Sequence, residues 1–574
     1  MNNISRRVIA MVSRKKTRSV FNLFVSQTDE ASRIIPAKDE MVSLRTPLTL
    51  LLISLGVIAA AWWWLGIPVK LVRAPIDADD KVQCISYAPF RNHQTSLSQA
   101  TQVTPEQIAE DLAQLAKISD CIRTYATDLG LDQIPGLAAK AGLKVIQGIF
   151  LDKDKQKNSA QISAAIRLAR EYPETIIAIV VGNETLLRKD ITVADLIATI
   201  RSVKAQVNVP VTYADVWEFW LSNRELYDAV DFVTVHILPY WENVPIPAES
   251  AAAHVDEIRR MIAAAFPGKD ILIGEIGWPS QGRMRESALP SPVNQARVVS
   301  EILALARREN FRVNLFEAYD EGWKREIEGT VGGSWGLFDS ERRAPKYPPG
   351  APISNFPVWR LQMCGGMALA ILIFGAAWLT LRRRPREPGL IPWLAVGLLA
   401  STAGIMFGVA AQRMVYESIG AGGWLLSGSL LIAATASPLF AASALMSGRT
   451  SPTFLELLGP DGYRTETPFT TLHTLGWTVI VVIGTANAVG LVFDPRFVDF
   501  PFAALTMAAV PSAAVTLLNP ANKGSRPIAE SIFAGVFVAA AIYVGIHEGP
   551  ANWQSLWTCA AYLMLALTLW QVRA

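Results

Sequence analysis

Ile176-Ile177-Ala178-Ile179-Val180-Val181-Gly182-Asn183-Glu184 is a short apolar run that ends on an acid, and Ile271-Leu272-Ile273-Gly274-Glu275 repeats the arrangement farther along the chain. Runs this short, bounded by glycine and polar residues, read as strands. Working outward, six more occupy residues 82–87, 121–125, 144–150, 211–214, 232–236 and 313–318. The segments between them carry helical signals instead. Thr104-Pro105-Glu106-Gln107 puts Pro at the first helical position and Gln at the third, and Ile108, Leu112, Leu115 and Ile118 follow at helical spacing. Thr192-Val193-Ala194-Asp195 opens another helix by similar logic. Repeats of this kind, spaced by roughly 30 residues, are βα units. Eight of them predict an α/β fold, a (β/α)8 TIM barrel over residues 81–350, with its chemistry at the carboxyl ends of the strands. Glu184 and Glu275 fall at such ends, after the fourth and seventh strands.

The rest of the 574-residue chain is of another character. Residues 47–66 form an almost uncharged stretch, long enough to cross roughly 30 Å of hydrocarbon as a helix. It closes on Trp62-Trp63-Trp64, read as an interfacial aromatic belt. A cleaved leader is the competing reading, since Ala59-Ala60-Ala61 offers small residues, but the long preceding segment and the tryptophans favour an anchor. Apolar runs return at 358–381, 390–409, 424–446, 475–493, 502–518, 528–546 and 553–570. An α-helical membrane region of about eight spans is expected, one before the barrel and seven in a bundle over 358–572. Basic residues set the orientation: Arg6 to Arg45 place segment 1–46 in the cytoplasm, and Arg382-Arg383-Arg384-Pro385-Arg386, Lys523 and Arg526 agree. The barrel is then outside, in a periplasm, and the carboxyl terminus is cytoplasmic.

A net charge of +3 carries no nucleic-acid signal. Five histidines without paired ligand spacing, and no phosphate loop or Gly-x-Ser-x-Gly, lead to an expectation of no metal and no cofactor. Cys84 and Cys121 would lie on neighbouring strands, where either a bond or buried free thiols is possible; free thiols are the expectation.

One strand-end carboxylate would suggest only a salt bridge or a loop cap. Two, at the fourth and seventh positions, supply what a retaining reaction on a glycosidic bond requires, one acid and one nucleophile flanking one anomeric carbon. The neighbouring motifs are Ile122-Arg123-Thr124-Tyr125, Val181-Gly182-Asn183-Glu184, His236-Ile237-Leu238-Pro239-Tyr240-Trp241, Gly274-Glu275-Ile276-Gly277-Trp278-Pro279 and Phe316-Glu317-Ala318-Tyr319-Asp320-Glu321-Gly322-Trp323-Lys324. In this order the polar domain resembles glycoside hydrolase family 17, the β-1,3-glucan-active branch of the retaining barrel enzymes. Its multi-span region makes it more similar to bacterial membrane-bound members, including a rhizobial protein of cyclic β-1,3/1,6-glucan synthesis. Gly322 and Tyr319 depart from the secreted members.

The resemblance implies Glu184 as general acid/base and Glu275 as nucleophile. It implies Asn183 on the sugar 2-hydroxyl, and a strand-eight network of Glu317, Asp320 and Lys324. Arg123 and Tyr240 are expected to hold the nucleophile carboxylate, and Tyr125 of the strand-two motif is expected to bind substrate. Of the strand-end aromatics Trp217, Trp220, Tyr240, Trp241, Trp278, Trp323 and Trp335, about half are expected to line a glucan groove and the rest to pack, and all but Trp220 are candidate substrate-binding residues. His236 reads as a satisfied strand histidine. The expected partners are a β-1,3-glucan donor, a glucan acceptor, the lipid bilayer and a separate glucan synthase.

Transfer to the acceptor, forming β-1,6 branches or links, is favoured over hydrolysis because a tethered enzyme is placed to remodel emerging glucan. A glucanase is the alternative. A non-enzymatic glucan-binding protein comes third, since it would have lost a carboxylate. For the bundle, plain anchoring is favoured over a glucan conduit.

Overall fold

In the computed structural model the described residues are 45–71, 81–91, 93–341, 343–347, 351–383, 388–454, 468–520 and 528–571. The chain divides into two compact units, Met1–Thr49 and Leu50–Ala574. Of the first, only residues 45–49 are described, where helix Arg45–Gly66 begins. Segment 1–44, residues 384–386, Lys523 and Arg526, on which the predicted orientation rests, lie outside the described residues.

Eight parallel strands close into a barrel in sequence order. They are β1 Cys84–Ser86, β2 Cys121–Arg123, β3 Lys144–Ile149, β4 Ile176–Asn183, β5 Val211–Val216, β6 Val233–His236, β7 Ile271–Ile276 and β8 Arg312–Leu315. The β4 run is apolar on both faces because both are buried. Ile179 and Val181 pack with the surrounding helices, whereas Ala178 and Val180 join Ile146, Ala214, Phe232 and Leu272 in a separate cluster with the two strand cysteines. Helix Pro105–Leu115 starts as expected, with Thr104 Oγ1 accepting from the Gln107 amide at 3.3 Å and Ile108, Leu112 and Leu115 fully buried. The eighth repeat is incomplete: β8 is followed only by short turns and by Arg325–Glu328.

Cys84 and Cys121 form a disulfide, which corrects the expectation of free thiols. The cause is register. Ile85 pairs with Ile122, so the preceding residues face each other with Cα atoms 4.4 Å apart.

Apolar helices occupy the eight expected places, but among the described residues six are long and apolar enough to cross a membrane, fewer than the eight spans expected. Phe502–Leu518 has 17 residues; at 1.5 Å per residue it reaches about 25 Å, short of the roughly 30 Å of hydrocarbon. Trp553–Gln571 is diluted by Gln554, Ser555 and Thr558 in its first turns. The aromatic belt also divides: Trp63 and Trp64 are exposed, whereas Trp62 is fully buried, edge-on to Phe356 with ring centroids 5.6 Å apart. Helices Trp359–Leu381 and Leu390–Glu417 approach so closely that a Cβ on Gly366 would fall 2.0 Å from the Gly404 carbonyl. Gln412 is a bundle contact, accepting from Gln362 Nε2 at 2.7 Å.

Loops after β7 and β8 meet the bundle. Arg283 pairs with Glu548, Asn552 Nδ2 donates to the Met284 carbonyl at 3.0 Å, and Thr330 Oγ1 donates to Asp499 Oδ2 at 2.6 Å.

Candidate active site

The carboxyl end of β4 is shaped by a register shift between Val180 and Asn183, with Gly182 at φ 84° and Glu184 at φ 52°. A left-handed backbone at 182 favours glycine, and the bulge turns Asn183 and Glu184 into the barrel mouth. Across the mouth, Glu275 lies in β7 opposite His236 of β6. One donor atom from each of Glu184, His236 and Glu275 lies within 4.8 Å of the others. A retaining carboxyl pair is about 5–5.5 Å apart, whereas an inverting pair needs roughly 6.5–9.5 Å.

The two acids have different surroundings. Glu275 is 4% exposed, and its Oε1 accepts from Arg123 Nη1 at 3.1 Å and from the Tyr125 hydroxyl at 3.0 Å. Arg123 is itself buried; Nη1 also donates to the Gly274 carbonyl at 2.6 Å, and Nη2 to Asn183 Oδ1. Because a guanidinium only donates, Asn183 must present its Nδ2 protons elsewhere, and it lines the cleft. Tyr240 does not take the expected place. Its hydroxyl donates to the Arg283 carbonyl at 2.7 Å, and Tyr125 occupies the position beside Glu275. The physical reason is the packing of the Tyr240 ring edge-on against Trp278 and Trp335, away from the barrel axis.

Glu184 keeps 24% of its side chain accessible, and its Oε1 lies 2.9 Å from His236 Nδ1. Nε2 of His236 is 3.3 Å from Arg123 Nη1. That nitrogen lies nearer to this pure donor than to Glu275 Oε1, which is 3.5 Å away, and this favours the ring proton on Nδ1, pointing at Glu184. Burial lowers the His236 pKa to about 4, against the pull of Glu275, so the imidazole is neutral. Burial raises the Glu184 pKa, opposed by Arg188, Arg123 and Lys324. The arrangement leaves Glu184 protonated more readily than an ordinary carboxylate and Glu275 held by a fixed cation. Glu184, His236 and Glu275 are metal-capable by spacing, but Arg123 already brings its positive charge against two of the three, which leaves a divalent cation poorly accommodated.

The expected strand-eight network splits in two. Glu317 Oε2 pairs with Lys324 Nζ at 2.5 Å, and both line the cleft. Burial raises Glu317 against Lys324, while Lys324, which burial alone would discharge, is kept charged by Glu317, Glu321 and Glu328. Asp320 is turned instead to Lys346 Nζ at 2.6 Å and to the Gly336 amide at 2.9 Å, behind the cleft. Burial pushes it to about 6.

The cleft has a volume of about 870 Å³ and is walled by Trp217, Trp241 and Trp323. Trp220, Trp278 and Trp335 are buried to within 1% and pack instead. Trp278 Nε1 donates to the Leu289 carbonyl at 3.1 Å and Trp220 Nε1 to the Thr234 carbonyl at 2.8 Å. Two neighbours escaped the sequence reading. Glu242 accepts from Trp217 Nε1 at 3.1 Å and fixes that ring; its position directly after Trp241 was the available signal. Arg496, which reaches the cleft from the bundle, had none.

Residues 84–336, from β1 to the turn behind the cleft, match the model of the BtgE/BtgC glycoside hydrolase domain. The barrel is similar to glycoside hydrolase domains of the BtgE/BtgC type. Outside that stretch the chain has no part in the match. A glucan 1,3-beta-glucosidase of Candida albicans is 28% identical over 255 residues, covering 40% of this chain and 82% of the relative. A cell surface mannoprotein of Candida albicans is 24% identical over 261 residues, covering 45% of this chain and 66% of the relative. Among solved structures, an active-site mutant of Rhizomucor miehei beta-1,3-glucanosyltransferase in complex with laminaritriose is similar at 22% identity and a TM-score of 0.42, over 48% of this chain and 97% of that one.

Proposed function

We propose that this protein is a membrane-bound retaining β-glucan transglycosylase that cleaves β-1,3-glucan through a covalent glycosyl-enzyme and transfers it to a glucan acceptor, forming β-1,6 branches or links. The observation that carries the reading is the pair Glu184 and Glu275, with donor atoms within 4.8 Å and unlike surroundings. Glu184 gives its proton to the glycosidic oxygen while Glu275 attacks the anomeric carbon, forming a glycosyl ester and releasing one chain. Glu184 then accepts a proton from the incoming hydroxyl, whose oxygen displaces Glu275. Asn183, its carbonyl tied to Arg123, donates from Nδ2 to the sugar 2-hydroxyl, a contact that tightens as positive charge develops on the ring. Trp217, Trp241 and Trp323 meet the apolar faces of the sugar rings, and Glu317 and Lys324 meet their hydroxyls.

β-1,3-Glucan as the substrate is supported by the glucan 1,3-beta-glucosidase relative. Placement on the outer side of a cytoplasmic membrane, with both termini inside, is supported by the six apolar helices and by the Cys84–Cys121 disulfide, which suits an oxidising compartment. Transfer is favoured because a tethered barrel meets nascent glucan at high local concentration beside a separate synthase. Hydrolysis is the second reading, again supported by the glucosidase relative.

The test is to incubate the full chain in detergent micelles with a purified linear β-1,3-gluco-oligosaccharide and to size the products. Products longer than the donor, with new β-1,6 linkages, are expected. Only shorter ones would establish a hydrolase, and no turnover would overturn the reading.

A further inference from the structure

Behind Trp241 lies a second cavity of about 480 Å³ between the barrel and the bundle, within the roughly 300–1,000 Å³ range of ligand sites. Trp241, Glu328 and Arg496 line both spaces, so the two adjoin. Arg496 belongs to the connection between helices Pro468–Phe493 and Phe502–Leu518. Its guanidinium lies 5.2 Å from the centre of the Trp241 ring. The same connection is seated on the barrel: a Cβ on Gly329 would fall 2.3 Å from the Arg496 carbonyl.

The far wall is made by the bundle. Tyr543 and His547, one turn apart on helix Ile528–Glu548, stack with centroids 4.1 Å apart and line the cavity. Asp499 takes the Thr330 hydroxyl on Oδ2, while its buried Oδ1 has no hydrogen-bond partner among the described residues. Arg283 pairs with Glu548, and Arg285 and Arg496 line the same walls together with Glu286, Glu328 and Asp499, so that four acids stand against three arginines. Walls with more acids than arginines disfavour a phosphate group. Aromatic planes, an acceptor without a partner among the described residues and walls without net positive charge instead suit a neutral polyhydroxylated chain.

We propose that this cavity is a remote glucan-binding subsite, so that the bundle itself holds part of the chain processed in the barrel. The inference rests on the glucan reading of the cleft. Bundle residues then act on chain-length selectivity, because only a chain that extends past Trp241 reaches Tyr543 and Asp499.

The test uses the full chain in detergent micelles and compares kcat/KM for short and long linear β-1,3-gluco-oligosaccharides. Tyr543→Ala and Asp499→Ala are each expected to lower the long-to-short ratio by about ten-fold, the scale of one lost contact. Ile542→Ala, on the exposed side of the same helix, is expected to keep the wild-type ratio. If both cavity variants keep that ratio while the wild type turns glucan over, the subsite is overturned and the function stands. The subsite is likewise overturned if the variants change only the phospholipid retained on purification. A wild-type chain that processes no length of glucan overturns both.

Discussion

Glu184 and Glu275 are the same side chain set in opposite surroundings. A guanidinium and a phenol donate to one oxygen of Glu275. Glu184 has a neutral imidazole as its hydrogen-bond partner, and Arg188, Arg123 and Lys324 act on it only through space. Two identical acids thereby become suited to opposite tasks: the environment that holds a negative charge makes a nucleophile, and the one that resists it makes a proton donor.

The largest test of that contrast is Glu275→Gln. Turnover of every donor is expected to fall more than about 10⁴-fold, the class of loss seen when a nucleophile is deleted. Glu184→Gln is expected to cost about 10²–10⁴-fold on β-1,3-glucan but far less on an aryl glucoside whose leaving group needs no proton. Equal residual rates for both variants on the aryl donor would break the contrast. Its pH signature follows from the raised pKa of Glu184. The acid form persists above the ordinary carboxylate range, so kcat/KM on glucan is expected to fall on the alkaline side, as that proton is lost. With the aryl donor this limb should flatten.

Arg123→Lys sharpens the comparison by keeping the charge and removing the fork that joins Glu275 to Asn183. A loss of about 10–100-fold in kcat/KM is expected, with Glu275→Gln already below it. The smallest effect concerns stability. Asp215, buried beneath the acid site, is pushed by burial to about 7. The folded state therefore holds its proton more tightly than the unfolded chain, and stability falls as pH rises from about 4 to about 7. Asp215→Asn is expected to shrink that decline, read as Tm against pH; an unchanged slope would remove Asp215 from the account.

The barrel was legible because parallel strands covered on both faces must be continuously apolar, and the acids stood out at the ends of such runs. The bundle was legible because hydrocarbon sets a minimum helix length. Partners across space were not. Tyr125 rather than Tyr240 holds Glu275, His236 sits between both acids, and Trp278 and Trp335 pack where Trp217 and Trp323 line the cleft. Each of these depends on which way a side chain turns beyond the strand end, where no periodicity governs it.

Strand count, helix positions and the two acids came from local chemistry, since periodicity and length are properties of contiguous residues. The Cys84–Cys121 bond, the inward turn of Trp62, the tautomer of His236 and the reach of Arg496 into the barrel cleft came only from tertiary structure. Those features are contacts between segments distant in the chain, and their geometry exists only once the barrel has closed and the helices have packed.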